Sequence, residues 1–150
     1  MRMDMKSFGM LLGRWFICAI FLISAVQKIL TWDTTSTDMV ATGLQVVPLF
    51  LVGAILIEFF GGLSLLLGAR AKLGALLLAI YLIPVTALFH NFWTLPVGSE
   101  LWSSQLTMFL KNCAIFGGLL YIISTGAGNF SRDRRREKNA EEHTEKVISE

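Results

Sequence analysis

Four ionisable side chains lie within or at the ends of long apolar stretches of this sequence, where charge is costly. Glu58 stands near the middle of the run LVGAILIEFFGGLSLLLG. The others, each in a different run, are Lys28, His90 and Lys111. A carboxylate, two ammonium groups and an imidazole can pair, exchange a proton or stabilise an oxyanion. Because a charge at the centre of a membrane helix costs about 2.5–3.5 kcal/mol, we expect these groups to face one another rather than lipid.

The composition is typical of an integral membrane protein. Of the 150 residues, 54% are hydrophobic and 16% are charged, whereas soluble domains carry about 25% charged residues. Four apolar segments approach the roughly 17–25 residues that a membrane-spanning helix needs, and they cover residues 10–30, 47–68, 73–89 and 106–124. None of them alternates as barrel strands do. The sequence therefore predicts an all-α, four-helix transmembrane bundle over residues 1–130.

Lysine and arginine are unevenly distributed between the two ends of the predicted spans. They flank one end of each span: Arg2, Lys6 and Arg14 before the first, Arg70 and Lys72 between the second and third, and the run SRDRRREK after the fourth. The loops at residues 31–46 and 91–105 carry none. By the positive-inside rule, both termini are predicted to be cytoplasmic. Tryptophans at the predicted outer boundary, which are Trp32, Trp93 and Trp102, agree with these span ends.

The last twenty residues form a separate, charged segment. From Ser131 to Lys146 the chain has no large apolar residue, so we predict a cytoplasmic tail over residues 131–150 that is mobile or marginally helical. Its basic block is expected near anionic lipid headgroups, with topology anchoring as its simplest role. Because this block abuts a membrane span, we expect no nucleic-acid partner.

The polar residues of the spans are sorted by depth. Glu58 lies roughly 15 Å below the predicted outer boundary, at about 1.5 Å per residue, while the inner half is almost wholly apolar. This pattern predicts an outward-facing polar pocket inside the bundle, in which Lys28 and Lys111 are the expected partners of Glu58. Its candidate members are Lys28, Glu58, His90, Lys111, Asn112, Gln27 and Asn91. Two lysines and one glutamate give this pocket a formal charge of +1.

Small residues at helical spacing accompany the charged ones and predict the packed helix faces. These candidate packing residues are Ala54, Gly61, Gly62, Ala114 and Gly118. The two cysteines, Cys18 and Cys113, lie in separate apolar runs without ligand spacing, and no metal site is predicted.

Several stretches, in the same order along the chain, resemble the DoxX family of small four-helix membrane proteins over about residues 8–130. They are GRWFICAIFLISAVQK, IEFFGGLSLLLGARAKLGALLLAIYL, FHNFW and QLTMFLKNCAIFGGLL. Lys28, Glu58, His90 and Lys111–Asn112 match polar positions of the family, while Ala25 stands where a glycine is common. The resemblance implies a bacterial inner-membrane protein. Some relatives resemble quinone-linked oxidoreductase subunits, including those of thiosulfate:quinone oxidoreductase, and others are associated with redox-stress complexes.

Three functions stay open on the sequence. The first is an oxidoreductase subunit or accessory without its own redox centre, since the sequence has no flavin or nicotinamide fingerprint and one intramembrane histidine. Quinone is then the candidate ligand and no bound cofactor is predicted. The chain would either work with a membrane redox partner or only bind the quinone. The second is a small proton-coupled transporter, which would need to form a homo-oligomer. The third is a scaffold whose lysines and glutamate form an ion-paired helix clasp.

Overall fold

The structure is a computed structural model that describes residues 5–149. Arg2, one of the predicted flanking cations, lies outside the described residues. The helices in chain order are α1 Met5–Leu30, α2 Trp32–Ala41, α3 Val47–Leu67, α4 Ala71–Phe89, a 3₁₀ turn Phe92–Thr94, α5 Glu100–Thr125 and α6 Arg132–Ser149. Four of them, α1, α3, α4 and α5, are long and apolar enough to cross a membrane. The predicted all-α, four-span fold is therefore confirmed.

Two regions outside the predicted spans are helical in the structure. The loop after the first span contains α2, where Thr31 and Thr37 hydroxyls donate to the carbonyls of Gln27 and Asp33 four residues back. The charged tail forms α6, which begins after Ser131, whose hydroxyl accepts from the Arg134 amide at 3.1 Å as an N-cap does. The tail was predicted to be either mobile or marginally helical, and the structure has a helix there. The residues of this helix are largely exposed.

The helices approach most closely in the half of the bundle that contains the turn between α3 and α4, which we call the tail half. Gly74 of α4 lies against Ser64 of α3, so closely that a Cβ at Gly74 would be 2.4 Å from the Ser64 hydroxyl. Gly61 likewise faces the Leu78 side chain. Glycine at both positions leaves room for the facing atoms of the neighbouring helix and lets the two helices lie close together.

Two buried apolar clusters divide the bundle along its length. The larger, in the tail half, includes Leu65, Leu78 and Leu119. The smaller joins α2 to the start of α3 through Met39, Val47 and Leu51, in the half that we call the loop half. The residues expected to do chemistry lie between the two clusters.

Arg14 differs from the prediction, which counted it with the solvated flanking cations. The structure buries it to 3% exposure. Its guanidinium donates to the carbonyls of Ala127 and Phe130, in the segment that connects α5 to α6. Because α1 extends to Met5, position 14 lies more than two turns into the helix rather than at its end. Arg14 therefore fastens the chain after the fourth span to the first.

Candidate functional site

A cavity of about 550 Å³ lies in the loop half and is lined by residues of α1 to α5. Most of its wall is apolar, with side chains such as Phe21, Leu82 and Ile115 from the tail-half cluster and Met39 from the loop-half cluster. The predicted members that line it are Lys28, Glu58, His90, Lys111 and Asn112. An apolar chamber of this size with a few polar groups has the general character of a small-molecule site.

Lys28 and Glu58 form an ion pair on one wall of this cavity. The Lys28 ammonium lies 2.9 Å from one Glu58 carboxylate oxygen and 3.0 Å from the other. Glu58 is 3% exposed, whereas 22% of the Lys28 side chain is exposed. The lysine stem thus extends from α1 towards the carboxylate on α3, as the expected pairing of these two residues requires.

Two further side chains bind the Glu58 carboxylate and were not among the sequence candidates. The Tyr81 hydroxyl, from α4, donates to Glu58 Oε1 at 2.9 Å. The Ser24 hydroxyl lies 3.2 Å from the same oxygen and also accepts from the Lys28 ammonium. Ser24 was recognisable, because it lies one turn before Lys28 on the same helix face. Tyr81 was harder to recognise from the sequence, where it stands as one hydroxyl-bearing residue within the third apolar run.

Lys111 lines the same cavity but is not paired with Glu58, contrary to the expectation. Its ammonium lies 3.1 Å from the Met108 sulfur, and among residues 5–149 no carboxylate lies within ion-pair distance of it. The reason is the rotation of α5, which buries Asn112 instead. The Asn112 amide donates to the Thr86 hydroxyl of α4 at 3.0 Å. Lys111, about 100° further round the helix, is exposed.

The remaining candidates lie at or beyond the edge of the cavity. His90 lines it, and its Nδ1 lies 2.9 Å from the Gln105 side-chain oxygen. Gln27 does not line it, because it is exposed on another face of α1. Asn91 follows the end of α4 and precedes the 3₁₀ turn, also outside the cavity.

Most of the candidate packing residues lie between helices. Ala54, Gly61 and Gly62 are buried on α3. Gly118 is partly buried, and a Cβ there would meet the end of the Ile17 side chain at 2.6 Å. Ala114 is exposed, so its assignment to a packed face was wrong, and the same rotation of α5 explains it.

The charge of the cavity also differs from the sequence estimate. Asp38, on α2, lines the cavity along with Glu58 and the two lysines. Two cationic and two anionic side chains make its formal charge zero, with histidine neutral, instead of +1. This arrangement favours a neutral ligand, or one that develops charge during reaction, over a resident anion.

Four spanning helices around a mainly apolar cavity with a few charged groups define a small multi-pass membrane protein. The DoxX family profile matches residues 9–91, which is more than half of the chain, and the chain belongs to that family.

The chain is also similar in sequence to three individual proteins. The chain is 34% identical to inner membrane protein YqjF of Escherichia coli, over 87% of this chain and 93% of the relative. It is 27% identical to inner membrane protein YphA of the same bacterium, over 84% and 89%. A Surfeit locus protein 4 homolog of Drosophila melanogaster is 28% identical over 89% of this chain, which spans 43% of that longer protein. No solved structure matches.

Proposed function

We propose that this protein is an accessory subunit of a quinone-linked redox system in a bacterial inner membrane, and that its cavity holds the quinone headgroup. The inner-membrane assignment is supported by the names of the Escherichia coli relatives. The electrons come from a partner enzyme in the membrane, since the proposal gives this chain no redox centre. Two electrons and two protons convert the quinone to its quinol.

The observation that carries the proposal is Lys111, whose ammonium group has no carboxylate partner among residues 5–149 and lies on the wall of a mainly apolar cavity. Lys28 is already neutralised by Glu58. Lys111 is therefore the cation that a ligand oxygen can engage. A neutral quinone gains negative charge on its oxygens as electrons enter, and an ammonium on the wall of a mainly apolar cavity stabilises that charge more than it stabilises the neutral ground state.

Access from the lipid supports a membrane-soluble ligand. Leu49 and Phe50 of α3 and Leu88 of α4 line the cavity and are also exposed on the outside of the bundle. In a bilayer these side chains face acyl chains. A quinone with an isoprenoid tail can then place its headgroup between the helices while its tail stays in lipid. With both termini cytoplasmic, as we propose, the cavity lies in the outer half of the membrane.

A scaffold with an ion-paired clasp is the second candidate, and the complete coordination of Glu58 favours it. Lys28 binds both carboxylate oxygens, and Tyr81 and Ser24 bind one of them. Such a cluster fixes three helices without any ligand. A proton-coupled transporter fits less well, because the buried cluster of the tail half that includes Leu65, Leu78 and Leu119 is apolar.

A cavity-filling variant tests the proposal without changing any charge. Gly53 lines the cavity, and a Cβ there would meet nothing within 4 Å, so Gly53→Leu can be accommodated and occupies ligand space. Gly117 on α5 is equally unobstructed but does not line the cavity, which makes Gly117→Leu the matched control.

The measurement is equilibrium binding of a short-chain benzoquinone to the purified full-length protein in neutral detergent. We expect saturable binding by the wild type and by Gly117→Leu, and at least about tenfold weaker binding by Gly53→Leu, a loss of roughly 1.4 kcal/mol. Equal affinities in both variants, or no saturable binding by a folded wild type, would refute the quinone site. The scaffold with an ion-paired helix clasp would then be the favoured function.

A further inference from the structure

A second, larger cleft of about 850 Å³ lies at the tail-half end of the bundle. It is bounded by the start of α1, the start of α4, the end of α5 and the first turns of α6. Neither the quinone proposal nor the family assignment gives this cleft a role. We propose that it is a binding site for the phosphate headgroup of an anionic phospholipid.

The charge of the cleft points to an anionic ligand. Five cationic side chains line it, together with two carboxylates, for a formal charge of +3: Lys6, Arg70, Lys72, Arg134 and Arg136, with Asp133 and Glu137. Both carboxylates are already engaged. Asp133 accepts from the backbone amides of Arg70 and Ala71 at 2.7 and 2.9 Å, and Glu137 pairs with Arg134 at 3.0 Å.

Four of these cations are consequently left for a ligand. Lys6, Arg70, Lys72 and Arg136 form no side-chain hydrogen bond or ion pair with any residue between 5 and 149 that would neutralise them. They come from three separate parts of the chain, namely the start of α1, the α3–α4 turn with the first residues of α4, and α6. Cations that converge from distant segments on one cleft, and that outnumber its carboxylates, favour an external anion with several acceptor oxygens.

The walls of the cleft are held in place by specific contacts, so α6 does not begin as a free basic arm. The buried Arg14 guanidinium binds the carbonyls of Ala127 and Phe130. The Asn129 amide donates to the Ser7 hydroxyl at 2.8 Å, and the Asp133 amide donates to the Gly68 carbonyl at 2.9 Å. These bonds connect the segment before α6 and its first turn to α1 and to the C-cap of α3, and they fix where the first turns of α6 lie.

The position of the cleft favours a lipid over free phosphate. Lys6, Arg70 and Lys72 lie at the ends of helices long enough to span the membrane, where headgroup phosphates are found. Its wall also includes Met10, Leu73 and Tyr121, and the last two are exposed on the sides of α4 and α5. A phospholipid can place its phosphate among the cations and its acyl chains along these residues. Inorganic phosphate can contact the cations but has no acyl chains to lie along the apolar residues.

The test compares two double variants that remove the same charge. Lys72→Gln/Arg136→Gln removes two cations of the cleft. Arg132→Gln/Arg135→Gln removes two cations that do not line the cleft but belong to the same basic run as Arg136. Binding of phosphatidylglycerol to the purified full-length protein in neutral detergent is counted by native mass spectrometry, with phosphatidylcholine and inorganic phosphate as separate arms at constant ionic strength. Circular dichroism verifies that each variant is helical.

We expect phosphatidylglycerol to bind the wild type in preference to phosphatidylcholine. The cleft variant should bind it about 10- to 30-fold more weakly, since each interfacial charge contributes about a fivefold factor, and the control variant should stay within about threefold of the wild type. Equal losses in both variants would mean diffuse attraction to the basic run and would overturn the proposal. Equal binding of both lipids, or competition by millimolar phosphate as strong as that by lipid, would overturn it as well.

Discussion

Glu58 and Arg14 are each 3% exposed, the first in the loop half of the bundle and the second in the tail half. Glu58 is bound by an opposite charge and by two hydroxyl groups. Arg14 is bound by two backbone carbonyls, and its Nε has no partner among the described residues. The carboxylate is thus neutralised by a charge that must stay in place, whereas the guanidinium is solvated by neutral dipoles. Loss of a partner should therefore cost more at Glu58.

The largest effect is expected from Lys28→Met. It leaves the Glu58 carboxylate buried without its counter-charge, which costs about 3–5 kcal/mol in comparable buried pairs. The apparent free energy of unfolding, from titration of neutral micelles with dodecyl sulfate, measures it. Lys28→Met/Glu58→Gln should recover more than half of the loss, because no charge is then stranded. A double variant no more stable than Lys28→Met would mean that the ion pair is not the source of the effect.

Arg14→Met should destabilise less, by about 1–3 kcal/mol. The substitution strands two carbonyl groups, but it also removes the cost of burying a guanidinium. The same unfolding titration measures it, with the exposed Arg135→Met as the control, which should change stability by no more than about 0.5 kcal/mol. If Arg14→Met proved as costly as Lys28→Met, the contrast between the two halves would be wrong.

Gly74→Ala tests whether the close helix contact is specific to the tail half. A Cβ at Gly74 would collide with Ser64, and overpacking of this kind costs about 1–3 kcal/mol. At Gly117 the same substitution meets nothing within 4 Å, so Gly117→Ala should be neutral or stabilising by up to about 1 kcal/mol. Thermal unfolding in detergent compares the two. Similar melting temperatures for both variants would contradict the close contact.

Tyr81→Phe should have a smaller effect, because it removes one hydrogen bond to Glu58 and leaves the ion pair intact. We expect a loss of about 0.5–1.5 kcal/mol in the dodecyl sulfate titration. Tyr121, which is exposed on α5, supplies the control Tyr121→Phe. A loss from Tyr81→Phe as large as that from Lys28→Met would show that the hydroxyl, rather than the lysine, holds the carboxylate.

The spans and the main ion pair could be predicted because each depends on residue type along one segment. Long apolar runs can only be helices in a bilayer, and a buried Glu58 with lysines nearby requires a partner. Helix α2 was missed because its sequence, WDTTSTDMVA, is mostly polar and carries little apolar periodicity.

The wrong predictions have a common cause. The sequence does not give the rotation of each helix about its axis or the residue at which the helix begins. Lys111 and Asn112 are adjacent in sequence, and the rotation of α5 decides which of them is buried. Arg14 was counted with the flank because its burial depends on the Ala127 and Phe130 carbonyls, more than 100 residues away in sequence. Composition does not encode that contact.

Centrally, we propose that the Lys111 ammonium binds a ligand oxygen, whereas Lys28 stabilises the fold by pairing with Glu58. The most direct test is the dissociation constant of a short-chain benzoquinone for purified Lys111→Met, measured beside Lys111→Arg, which keeps the charge. We predict at least about tenfold weaker binding by Lys111→Met, partial or full retention by Lys111→Arg, and unfolding of both within about 0.5 kcal/mol of the wild type. Unchanged quinone affinity in a folded Lys111→Met protein would contradict the account.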